Sequence, residues 1–218
     1  MKKALIILNG RSIAKNKIGK IIDANTIIYA VDGGANHLFE LGIEPNILIG
    51  DMDSIDAKIL DRAVQKGVEI IKHPPEKNET DSELAVEHAI ENGAKEIIIA
   101  GFDGDRFDHM LANIHYFSKL VSKLIIKIIQ NKTDIYFVDR SLTFNGAIGE
   151  EVSIIPMKQD AIGVRTEGLK YKLHEETLLF ASTRGVSNVI VSNKVTICVK
   201  EGVLCVIYNQ ELPKKGSR

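Results

Sequence analysis

Over its first 140 residues the chain alternates short apolar runs with amphipathic stretches, and beyond Arg140 that alternation stops. Strand-like runs fall at 4–8, 26–31, 47–49, 68–71 and 97–100, with another inside 124–129 and one more at 135–138. Ile55, Ile59, Leu60, Ala63 and Val64 recur at helical spacing up to Gly67, and Leu84, Ala85, His88 and Ala89 do so up to Gly93. Each glycine stands where a helix stop is expected, because it takes the left-handed cap conformation at little steric cost. Apolar strands separated by amphipathic helices can bury both faces of one sheet, which predicts a mainly parallel sheet with helices on both faces.

Past Arg140, short runs lie between turn signals such as Asn145-Gly146, Pro156, Gly163 and Gly168. Residues 195–199 and 203–208 alternate like the two arms of a hairpin closed at Glu201-Gly202, which would set Cys198 opposite Cys205. The expected class is therefore α/β followed by β: an α/β domain over 1–140, a small antiparallel β sandwich over 141–212, and a flexible tail over 213–218.

Composition excludes several functions. With 218 residues, 44% of them hydrophobic and 26% charged, the chain can bury a core and is not broadly disordered. A net charge of −1 argues against nucleic acid as partner. The run after Lys2 and Lys3 is too short for a signal peptide and reads as a first strand. No apolar run approaches the roughly 18–20 residues that span a bilayer. With 2 cysteines and no secretion signal, reduced thiols in a cytoplasmic protein are expected.

The strand ends carry the chemistry. GDMDS follows the apolar run 47–49 and sets Asp51 and Asp53 two residues apart, pointing to one side if the backbone is extended. The run 26–31 leads into Asp32-Gly33-Gly34-Ala35-Asn36, 68–71 leads through HPPEKNETD to Asp81, and 97–100 leads into GFDGDRFDH with Asp108. Ligands of open α/β sheets bind beyond the carboxyl ends of the strands. Carboxylates gathered there suit Mg²⁺, which takes oxygen ligands from a few carboxylates and from substrate phosphates. Each has a plainer reading as well: Asp residues form turns, and Thr80 with Glu83 makes a capping box beside Asp81. Gly33-Gly34 between strand and helix suits a phosphate, and Lys77 and Arg106 bring positive charge into the acidic loops. P-loop, dinucleotide G-x-G-x-x-G, EF-hand, zinc and G-x-S-x-G patterns are all missing.

VDGGANHL, GDMDS, PEKNETDSELA and GFDGDRFDHMLAN, in this order, resemble the thiamine pyrophosphokinase family, as do TEGLKYKL and STRGVSN in the second half. The resemblance implies a homodimer of chains with an N-terminal ATP/Mg-binding catalytic domain and a C-terminal thiamine-binding β sandwich. It implies transfer of pyrophosphate from ATP to the hydroxyethyl arm of thiamine, giving thiamine diphosphate and AMP. By motif, Asp51, Asp53, Asp81 and Asp108 would hold Mg²⁺ or orient phosphates. Asp32, Gly33, Gly34 and Asn36 would line the ATP side, with Lys77 and Arg106 on the triphosphate. Ser182, Ser187 and Asn188 would lie near thiamine. The family loop usually has Gly-Gly before its arginine, where this chain has Gly104-Asp105, and the chain has no tryptophan to stack on thiamine. Two alternatives stay open: a pyrophosphokinase for another small alcohol such as a pterin, and a nucleotide- or metal-sensing module without turnover.

Overall fold

Strand β1 (Lys3–Ile7) is buried at all but its first residue. In the computed structural model, which describes residues 1–211, β1 lies inside a parallel sheet. On one side stand β2 (Thr26–Val31), β3 (Ile47–Gly50) and β4 (Glu69–Lys72), and on the other β5 (Glu96–Ala100) and β6 (Ile125–Ile129). The order is β4-β3-β2-β1-β5-β6, with every neighbouring pair parallel. The helices between them are α1 (Lys15–Gly19), α2 (Gly34–Glu40), α3 (Ala57–Gln65), α4 (Asp81–Glu91) and α5 (Phe107–Ser118).

Successive strand residues point to opposite faces, and both faces are covered. Leu5, Ile7, Ile28, Ala30 and Leu48 pack with Ile18 of α1, Leu38 of α2 and Ala63 of α3. Tyr29 points the other way and meets His88 of α4 edge to face, ring centroids 5.8 Å apart. Burying each large apolar side chain of this kind stabilises the fold by about 1.5–3 kcal/mol. Two expectations need correction. Val64, placed on the apolar face of α3 by its spacing, is exposed, so that helix turns a narrower stripe inward. Phe107 to His109, read as loop, form the first turn of α5.

The chain divides into two compact units, Met1–Tyr116 with Lys123–Asn131, and Phe117–Ser122 with the residues from Lys132 onward. The second unit contains β7 (Thr133–Val138), β8 (Ser141–Asn145), β9 (Glu151–Glu167), β10 (His174–Leu178), β11 (Asn188–Val189), β12 (Lys194–Cys198) and β13 (Glu201–Asn209). Its strands pair antiparallel, and β9 serves two sheets: its first part pairs with β11 and with β13 from Val203 onward, its second with β10, β12 and, at Ile162, Glu201 of β13. Lys158, at φ 70, marks the break between the two parts. Val152, Ile154, Val164, Ile197, Leu204 and Val206 share one core, as a β sandwich requires.

The expected hairpin does not form. β9 stands between β12 and β13, and Gly202 lies within β13 rather than in a turn. Cys198 faces Ser141 and Arg165, Cys205 faces Phe137 and Ile155, and both thiols are free. Alternation correctly marks Val195, Ile197, Leu204 and Val206 as inward. It specifies a buried face, not the neighbouring strand. The tail expected over 213–218 lies outside the described residues.

Candidate active site

From β1 the chain builds the sheet outward through β2, β3 and β4, then places β5 on the opposite flank of β1. A crevice opens at such a switch point, beyond the carboxyl ends of the strands. Here it is a cavity of about 570 Å³ within the first unit. Its floor is the paired loops after β1 and β5: Leu8 N–H donates to Ala100 O at 2.8 Å, Gly10 N–H to Gly101 O at 2.8 Å and Arg11 N–H to Asp103 O at 2.7 Å. A Cβ on Gly10 would overlap the carbonyl oxygens of Gly101 and Asp103, so this close approach requires glycine.

Asp32 and Asp51 line one wall after β2 and β3, and Lys77, Asp81 and Arg106 line others. Asp32 sits at φ 44, with its Oδ1 accepting the Met52 N–H at 3.2 Å. Its carboxylate occupies the space a side chain on Gly50 would need, which explains the glycine that opens GDMDS. Burial, and then the charges of Asp81, Asp51 and Asp53, push the Asp32 carboxyl up to about 6. Asp51 is shifted the other way, first because its Oδ1 accepts the Asp53 N–H at 3.0 Å, with the Lys77 charge assisting. Asp53 is exposed, takes the Ser54 hydroxyl at 2.7 Å and does not line the cavity.

Lys77 is folded back on its own loop. Its Nζ donates to Pro74 O at 3.1 Å and lies 2.9 Å from Asp81 Oδ1, an ion pair short of hydrogen-bond geometry. Thr80 caps α4 by accepting the Glu83 N–H at 3.2 Å, so the capping box and the acidic position coexist. Arg106 reaches Asp108 through two bonds, Nε to Oδ1 at 3.0 Å and Nη2 to Oδ2 at 2.7 Å. That fork holds the Asp108 carboxyl far below the usual range and occupies both of its oxygens outside the cavity. Among the described residues no three His, Cys, Asp or Glu side chains come close enough to hold a metal ion on protein ligands alone.

The other motif residues have identifiable local duties. A Cβ on Gly33 would overlap the Asn9 side chain, and one on Gly34 would overlap Ile7 O. The glycine pair therefore lets the start of α2 press against β1 and the segment following it. Asn36 stitches the loop after GDMDS, with Nδ2 donating to Ser54 O at 3.1 Å and Oδ1 accepting the Asp56 N–H at 3.1 Å. None of the three lines the cavity. Ser82, His109 and Asn113 are among the cavity residues that the sequence reading did not name as site residues. Arg106, His109 and Asn113 follow at helical spacing, a signal available in the motif itself.

In the second unit, Ser182 and Ser187 are exposed and Asn188 is buried. Asn188 Nδ2 donates to Tyr171 O at 2.7 Å, and its Oδ1 accepts the Tyr171 N–H at 3.0 Å and the Val189 N–H at 2.9 Å. Ser187, at φ 58, donates its N–H to Ser153 Oγ at 3.1 Å. Asn188 lines a pocket of about 130 Å³ with Tyr171, Lys172 and Arg184, whereas Ser182 and Ser187 do not.

Residues 18–143 match the family model described as thiamin pyrophosphokinase, catalytic domain, and residues 139–204 match thiamin pyrophosphokinase, vitamin B1 binding domain. The chain is 28% identical to a thiamine pyrophosphokinase of Bacillus subtilis over 219 residues, covering 97% of this chain and 100% of the relative. The crystal structure of a thiamine pyrophosphokinase from the same organism superposes with a TM-score of 0.87 at 27% identity, covering 97% of this chain and 100% of the other. Yeast thiamin pyrophosphokinase shares the fold, with a TM-score of 0.79 at 18% identity over 98% of this chain and 88% of its own.

Proposed function

The chain belongs to the thiamin pyrophosphokinase family, and we propose that it transfers the pyrophosphoryl group of ATP to the hydroxyethyl oxygen of thiamine. The observation that carries this reading is the cavity at the switch point, which combines Asp32, Asp51 and Asp81 with Lys77 and Arg106. A triphosphate needs that combination of cations and metal-binding oxygens, whereas acyl or hydride chemistry does not.

The thiamine hydroxyl oxygen forms a bond to the β-phosphorus, the bridging bond from that phosphorus to the α-phosphate oxygen breaks, AMP leaves, and the hydroxyl proton is released. Such a transfer asks the protein for positioning and charge neutralisation more than for covalent chemistry. Lys77 neutralises phosphate charge from within its loop. Arg106, held by Asp108 in a two-bond fork, presents its remaining N–H groups to the same anion. Mg²⁺ suits the donor set: the cavity offers carboxylate oxygens, Asp81 Oδ1 is buried without a hydrogen bond, and Mg²⁺ takes only one or two carboxylates when substrate phosphates complete its shell. Asp51 and Asp81 would hold it, with Asp53 alongside. When bound, it would spread the negative charge developing on the transferred group.

The reading includes thiamine held by the loop of Ser182, Ser187 and Asn188, a homodimer and a cytoplasmic location. The exposed apolar residues Leu179, Phe180 and Val186 around that loop support a face covered by a second copy. Among the described residues no helix is long and apolar enough to cross a membrane. Asp51→Ala and Asp81→Ala test the assignment of the acidic residues. Each should lower turnover by roughly 100- to 1000-fold while leaving the circular dichroism spectrum unchanged. Full activity in either variant would remove that residue from the site.

A further inference from the structure

Asn113 lies on α5 two turns after Arg106 and lines the cavity while being 94% buried, at 6% relative exposure. Its carbonyl end is held twice: Oδ1 accepts the Ser82 hydroxyl at 2.8 Å and the Thr80 hydroxyl at 3.3 Å. Thr80 Oγ1 is itself anchored by the Glu83 N–H at the start of α4 and lies 2.9 Å from Ser82 Oγ, so its one proton is shared between Ser82 and Asn113. The Ser82 hydroxyl on Oδ1, itself backed by Thr80, orients the amide so that Nδ2 faces away from α4. Among the described residues Nδ2 has no hydrogen-bond partner, and it is not sealed from the cavity. A buried amide of this kind ordinarily has its donors satisfied.

We propose that Asn113 Nδ2 donates a hydrogen bond to a phosphate oxygen of the bound nucleoside triphosphate. The inference rests on the functional reading above and adds a neutral, preoriented donor to the two cations there. A phosphate oxygen is the matching acceptor for three reasons. Lys77 and Arg106 line the same cavity. A triphosphate carries more oxygens than two cations and a metal can satisfy. The start of α4, next to Ser82, adds the positive end of a helix dipole. Asn113 takes no part in the breaking or forming bonds and serves to bind and orient the anion.

Binding of a non-hydrolysable ATP analogue and of inorganic tripolyphosphate, each with Mg²⁺, is measured by calorimetry on the full chain. The wild type is compared with Asn113→Asp, Asn113→Ala and Ser82→Ala, with melting curves to confirm folding. Asp keeps the acceptor for Ser82 and replaces the donor with a carboxylate oxygen. Loss of one hydrogen bond to a charged group weakens binding roughly 10- to 100-fold. That loss is expected for Asn113→Ala with both probes, with a larger one for Asn113→Asp and a smaller one for Ser82→Ala, whose amide can rotate. In turnover, the KM for ATP should rise and that for thiamine should not. Wild-type affinity in a folded Asn113→Asp overturns the inference while leaving the functional reading intact. So does weakening confined to the ATP analogue, which would move the contact to the nucleoside. A wild type that binds neither probe overturns both.

Discussion

Asp32→Asn should make the protein more stable and less active at once. The Asp32 carboxyl titrates near 6 instead of 3.8 because it is partly buried beside Asp81, Asp51 and Asp53. A shift of about 2 units corresponds to about 3 kcal/mol at most, and solvent screening of a group that is only partly buried reduces this to about 1–2 kcal/mol. The folded pKa lies above the unfolded one. Below about pH 4 both states hold the proton and the carboxyl contributes nothing to stability. From there to about pH 6 the unfolded state ionises first, and stability falls as pH rises; above that the penalty is constant. Asparagine keeps the oxygen that accepts the Met52 N–H and tolerates the positive φ. Urea unfolding in the presence of a chelator should therefore show a gain of about 1–2 kcal/mol at pH 7.5 that disappears near pH 4. An equal gain at both pH values, or a loss at pH 7.5, would refute the claim that burial, assisted by the neighbouring carboxylates, penalises the Asp32 charge in the metal-free protein.

Gly34→Ala should cost at least about 2 kcal/mol in a thermal or urea melt, since its methyl would overlap Ile7 O and must push α2 off β1; a normal melt with lost nucleotide binding would instead assign Gly34 to the ligand. Arg106→Lys should lose the two-bond fork with Asp108 and lower kcat/KM for ATP at least tenfold, while stability changes by less than about 1 kcal/mol because the pair is exposed. Asp105→Gly removes a carboxylate from the cavity lining and should lower the KM for ATP severalfold at limiting Mg²⁺; an unchanged KM would mean that Asp105 does not sense the phosphates.

Much of the architecture was legible because burial imposes periodicity. The continuous apolar runs that became β1, β2, β3 and β5, and the glycines after α3 and α4, are direct consequences of strand and helix geometry. The β12–β13 pairing was not legible, because inward residues alternate identically whether a strand lies beside its sequence neighbour or beside β9. In the candidate site, the carboxylates after β2 and β3 and at the start of α4 could be located from the strand-end rule alone. The rule says which loops meet, not which atoms face the crevice. Gly33 and Gly34 turned out to serve helix–strand approach, Asn36 to tie a loop, and Asp108 to hold Arg106. For Asn113 the helical spacing from Arg106 marks its face of α5, but its role shows only once the Ser82 hydroxyl that orients it is brought from another helix.

The central claim is pyrophosphoryl transfer to thiamine, and its most direct test is to incubate the purified protein with ATP, Mg²⁺ and thiamine and identify the products by mass spectrometry. Thiamine diphosphate and AMP in equal amounts are the predicted result. ADP with thiamine monophosphate would contradict the pyrophosphoryl step, and ATP bound without any thiamine product would contradict thiamine as the acceptor.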